Sequence, residues 1–152
     1  MINLCDEPEW SFEELRSLNA AVVFSHYDYA RVLRQSGKIS YEVLINWLTT
    51  YQPSFTVFNE KVFVEEMFSI ERYTSLLTNG SSEDAAQLFI NLVSINSIIG
   101  DGFDGSIKTI AKNVADKWNS RLLIENLNST DRARVIYEKN DEEYFVTIDG
   151  VV

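Results

Sequence analysis

The sequence has one cysteine, Cys5, so no intrachain disulfide can staple the fold. That usage suits a reducing compartment, and a cytoplasmic location is expected. No apolar run approaches the length of a bilayer span. The first residues, MINLCDEPEW, lack the basic and apolar regions of a secretory signal. Neither a membrane span nor export is therefore expected. Basic residues are also scarce: 13 Lys and Arg stand against 23 Asp and Glu, a net charge of −10. Such a chain repels nucleic acid and anionic membrane surfaces and attracts a basic protein, although acidity also serves plain solubility.

Catalytic and metal-binding signatures are missing too. There is no Walker loop, Gly-x-Gly-x-x-Gly, Cys-x-x-Cys or His-Glu-x-x-His. The only histidine, His26, has Asp28 as its nearest acid, and residues two apart on a helix do not face each other. It reads as a surface or capping histidine rather than a general base. Cys5 adjoins Asp6 and Glu7, whereas a reactive thiol wants an electropositive setting. The Asp101–Gly105 loop places Lys112 where a calcium loop of the EF-hand type needs its glutamate. Glu66 lacks a Glu-x-x-His context and reads as a helix-edge acid paired with Lys61 or Arg72. No catalytic residue, cofactor or metal ligand is assigned.

What the chain does have is a core. With 152 residues, 45% of them hydrophobic, it suits one folded domain, 1–152, that buries roughly 70% of its unfolded surface. Ser11-Phe12-Glu13-Glu14 is a capping box, with Trp10 and Leu15 as a staple across it. The periodicity beyond it allows one helix over 12–35, or two with a break near Ser25-His26. Gly37 suits a helix end. Ser40 opens a helix with Val43, Leu44, Trp47, Leu48 and Tyr51 on one face, and Pro53 closes it. Asn79–Ser82 forms a turn before a helix that buries Ala85, Leu88, Phe89, Leu92, Val93 and Ile99. After Gly100–Gly105, Ser106 caps a helix whose Ile107, Ile110, Ala111, Val114, Ala115, Trp118 and Leu122 follow the helical period without a miss. Lys108, Lys112 and Lys117 fall on its wet side. The period then changes to two: Val135 and Tyr137, then Tyr144, Val146 and Ile148, flank a four-residue loop. Met1–Leu4 offers a third strand.

The stretch 55–77 is apolar on two sides, as expected of a helix sandwiched in a bundle. The fold expected is mainly α: five or six helices around a central helix at 55–77, with a C-terminal β-hairpin. In the rival reading 55–64 is itself a hairpin, turning at Asn59-Glu60-Lys61, and the fold is α+β.

Acids and aromatics cluster at both ends of the chain. Asp6, Glu7, Glu9, Trp10, Glu13 and Glu14 precede or open the first helix. Tyr137, Asp141, Glu142, Glu143 and Tyr144 lie on and around the C-terminal hairpin, with Glu138 and Asp149 nearby. Aromatic anchors with an acidic rim suit an interface for a basic protein. The expected function is a binding module that neutralises such a partner, most concretely a bacterial immunity or antitoxin protein that occludes a cationic toxin such as a nuclease. The alternatives are a regulatory or adaptor domain, including a nucleic-acid mimic, and an enzyme of low motif content using Glu65, Glu66 or His26.

Overall fold

The computed structural model describes residues 11–18, 23–127 and 129–150. The fold is mixed α+β. Helices α1 (Phe12–Leu18), α2 (His26–Gln35) and α3 (Tyr41–Thr50) precede a hairpin of β1 (Phe55–Phe58) and β2 (Lys61–Val64). A short 3-10 turn, Glu65–Met67, leads to α4 (Ile70–Thr78) and α5 (Glu83–Ile90). Then come β3 (Val93–Ser94), α6 (Ile95–Ile99), α7 (Ile107–Glu125), β4 (Arg132–Glu138) and β5 (Glu143–Asp149).

The expected central helix at 55–77 is therefore corrected to a hairpin, a turn and a shorter helix. Asn59 and Glu60 both take positive φ, 48° and 64°. A two-residue turn of that hand matches the twist of paired strands. Strand register runs from Phe55 opposite Val64 to Phe58 opposite Lys61. The two-sided apolarity is real, but its period is two. Val62 and Val64 join the main core, while Phe63 points to a second core with Tyr73, Ala86 and Ile90. A strand buried on both faces resembles, over a few residues, a helix buried all round.

Residues 12–35 form two helices. Ser25 caps α2 through a reciprocal box: its hydroxyl accepts the Asp28 N–H, and the Asp28 carboxylate accepts the Ser25 N–H at 2.8 Å. The box at Ser11 is also present, with Glu14 accepting the Ser11 N–H. Trp10 of the proposed staple and the Met1–Leu4 strand lie outside the described residues.

The helix expected after Ser82 stops at Ile90, and its buried face is displaced. Ala86, Gln87 and Ile90 point inward, whereas Phe89 is 48% exposed. Val43 on α3 is likewise 55% exposed, while Leu44 and Leu48 are fully buried. The expected face of α7 is nearly complete, with only Ile107 less than buried.

The C-terminal hairpin is one edge of a three-stranded antiparallel sheet ordered β3-β5-β4, with β3 supplying the third strand. Helix α7 packs on β4 and β5, and α5 and α6 pack on β5. The two sheets do not pair. Buried side chains join them instead. The Asn91 amide donates to the carbonyls of Val62 (3.0 Å) and Ile148 (3.2 Å), and its oxygen accepts the Val64 N–H (2.8 Å). Asp131 accepts the Val62 N–H (3.0 Å) and the Gln87 amide (2.6 Å). These groups satisfy the free edge of β2, which no strand covers. On the outer strand β4, Asn119 of α7 serves both the N–H (2.7 Å) and C=O (2.9 Å) of Ala133.

Trp118 lies at the centre of the main core, fully buried, with its indole N–H donating to the Tyr27 hydroxyl at 2.8 Å. Burial among the rings of the core pushes the Tyr27 phenol well above its ordinary pKa. Arg34 crosses from α2 to bond the carbonyls of Ile98 (2.9 Å) and Ser97 (3.2 Å) at the end of α6. Its guanidinium lies against Gly100, whose φ of +76° is the backbone conformation that favours glycine there.

Candidate functional site

The C-terminal hairpin builds its own exposed end. Arg132–Glu138 pairs with Glu143–Asp149, and the inward rungs are Ala133–Ile148, Val135–Val146 and Tyr137–Tyr144. The first two rungs are covered by the core. The third reaches the rim, where Tyr137 is 49% exposed and its ring centroid lies 4.7 Å from that of Tyr144. Cross-strand aromatic pairing of this kind stiffens the hairpin. Tyr144 is held further by its N–H bond to the Asn96 side chain at 2.7 Å.

Beyond the tyrosines the chain turns through Lys139–Glu142, with Glu142 at φ 53°. The Glu138 carboxylate accepts the N–H groups of Asn140 (3.1 Å) and Asp141 (2.6 Å), closing the turn. Glu143, opposite Glu138, accepts a longer bond from the Ser94 hydroxyl at 3.3 Å. Asp141 and Glu142 are exposed, with no ion-pair partner among the described residues. Partial burial, then the negative charges of Glu142 and Glu138 with Tyr144 between them in effect, push the Tyr137 phenol above its ordinary value. Asp149 does not belong to this patch. It forms a bidentate pair with Arg134 at 2.6–3.0 Å, whose guanidinium it holds more firmly protonated.

Of the other acidic cluster, Glu13 and Glu14 are exposed on α1, which packs on α2. Asp6, Glu7, Glu9 and Trp10 lie outside the described residues. The structure thus brings the hairpin residues together and does not join them to Glu13 or Glu14.

Distant residues meet at a second place. His26 Nδ1 contacts Glu66 Oε2, and the His26 backbone N–H donates to the same oxygen at 3.2 Å. Tyr51 donates to Glu66 Oε1 at 3.3 Å. Phe12 stacks on the imidazole with centroids 3.8 Å apart. Burial and then the Glu66 charge push the Tyr51 phenol far above its ordinary value. The expected partner of Glu66 is corrected here, since Lys61 pairs with Asp84 at 2.5 Å, while Asp28, as its spacing from His26 implied, turns elsewhere and is engaged by Ser25. Forty residues separate His26 from Glu66, so no local spacing could have revealed the pair. Beside it, His26, Tyr29, Ala30, Leu33, Ile39, Val43 and Trp47 line a cavity of about 220 Å³.

Among the described residues no helix is long and apolar enough to cross a membrane, and no group of three or more His, Cys, Asp or Glu could hold a metal ion. No protein-family model matches the chain, and neither the curated proteins nor the solved structures yielded a match.

Proposed function

We propose that the chain is an acidic protein-binding module whose C-terminal hairpin engages a basic partner. The carrying observation is the Tyr137–Tyr144 pair at the rim of the core, followed by a turn whose Asp141 and Glu142 are exposed. Two fixed aromatic rings supply contact area at small entropic cost, and the carboxylates steer encounter and choose the partner. The net charge of −10 adds long-range attraction for a cationic surface.

The most concrete form of this reading is an immunity or antitoxin protein that occludes a cationic toxin, such as a nuclease, with carboxylates standing where phosphates would bind. The test is co-expression with the product of the adjoining reading frame. Growth arrest relieved by this chain, and not by its Tyr137→Ala/Asp141→Lys variant, supports the reading. Relief that is indifferent to the hairpin variant refutes the hairpin as the blocking surface.

One observation favours a second reading, an enzyme of low motif content. Glu66 contacts the His26 ring at Nδ1, and the ring is part of the lining of an apolar cavity. An acid-oriented imidazole is the usual form of a general base. If His26→Gln leaves every function of the protein intact while the fold persists, this reading fails.

A further inference from the structure

A different cavity, of about 260 Å³, lies between α2, the 3-10 turn, α4 and the β3–α6 segment. Its charged lining is opposite in sign to the molecule as a whole. Arg31 and Arg72 face one carboxylate, Asp28, among the described residues. Asp28 is already committed: one oxygen accepts the Ser25 N–H and hydroxyl at 2.8 and 3.1 Å, and the other meets Arg31 at 3.4 Å. The Arg72 guanidinium has no hydrogen-bond acceptor and no ion-pair partner among the described residues, although the residue is half-buried. No acceptor of the described residues occupies its N–H donors, which therefore stay available to a ligand in the cavity. Desolvation lowers its pKa, and only the field of Asp28 opposes that. The remainder of the lining includes apolar Met67, Leu92, Val93 and Ile98.

We propose that this cavity binds a small organic carboxylate, with its acid group on Arg72 and Arg31 and its apolar body against Met67, Leu92, Val93 and Ile98. A guanidinium takes a carboxylate through two parallel bonds, and burial makes those bonds stronger than at an open surface. The volume falls just below the range of ordinary ligand pockets, which selects a short acid or one terminal residue of a peptide. The site is independent of the hairpin proposed to bind a basic protein.

The test is titration of the whole chain with hexanoate, N-acetylleucine, hexylammonium and inorganic phosphate, followed by calorimetry and by amide shifts. Hexanoate or N-acetylleucine is expected to saturate the site, and the tighter of the two separates a free acid from a peptide terminus. Hexylammonium is expected not to bind. Arg72→Met keeps the stem of the side chain and removes the charge, and is expected to weaken carboxylate binding by about tenfold or more. Arg31→Gln is expected to weaken it as well, and it carries the test if the Arg72 variant does not fold. Absence of saturable carboxylate binding, equal binding by folded variants, or phosphate binding without carboxylate binding would each overturn the proposal.

Discussion

Asn91→Ala should be among the most damaging single substitutions in the protein. The side chain is fully buried and has three partners: the Val64 N–H, the Val62 carbonyl and the Ile148 carbonyl. Removing it does not affect these equally. The Val62 carbonyl keeps the Gln87 amide at 3.1 Å. The Val64 N–H and the Ile148 carbonyl lose the side chain that serves them on that side. A buried polar group left without a partner costs about 1–3 kcal/mol, so the two together predict a loss of about 2–6 kcal/mol. Domains of this size are stable by about 5–15 kcal/mol, so the variant should still fold under mild conditions. Equilibrium unfolding in urea, followed by far-UV circular dichroism and tryptophan fluorescence, measures the loss. Asn91→Asp is the control, since it keeps an acceptor for Val64 while facing two carbonyls with an oxygen, and it should also destabilise. A loss under about 1 kcal/mol for Asn91→Ala would refute the claim that this amide ties the two sheets.

Two further outcomes follow from local chemistry. Glu60→Gly should stabilise the protein by up to about 1 kcal/mol, because Glu60 sits at φ 64° in a turn that favours Asn-Gly; unfolding midpoints unchanged or lowered would contradict the turn assignment. Tyr51 has a raised pKa in the folded state, so its contribution is fully present below the unfolded value of about 10 and is lost as pH rises beyond it. Tyr51→Phe should therefore cost about 1 kcal/mol near neutrality through the lost bond to Glu66, with the gap to the parent narrowing above about pH 10. A gap that stays constant through alkaline titration of stability would contradict this.

The residues show which parts of the fold were legible. Helix α7 was readable because one uninterrupted apolar face repeats from Ile110 to Leu122. The C-terminal hairpin was readable because its inward residues alternate, and Ser40, Ser82 and Ser106 cap the helices that follow them. The helix expected over 55–77 failed because Phe63 serves one core and its neighbours Val62 and Val64 another, so the run 62–64 has no polar residue to mark a wet face. The face of α5 was misjudged because Gln87 points inward, and the chain turns at buried Asn91. Polar residues in a core are visible only through partners far along the chain, here Val62, Asp131 and Ile148. The candidate site divides in the same way. The hairpin acids and tyrosines are neighbours in sequence, whereas the His26–Glu66 contact and the placing of Arg31 and Arg72 on one cavity exist only after folding.

The claim that matters most is that the hairpin binds a basic protein through Tyr137, Tyr144 and the adjoining acids. It is tested most directly by capture from lysate on the immobilised parent chain and on its Tyr137→Ala and Asp141→Lys/Glu142→Lys variants. Each is run at about 0.1 M and about 1 M salt, where the screening length falls from about 10 Å to about 3 Å. The account predicts one basic protein retained by the parent at low salt, released at high salt, and lost from both variants. Capture that ignores salt, or that survives both hairpin variants unchanged, would contradict it.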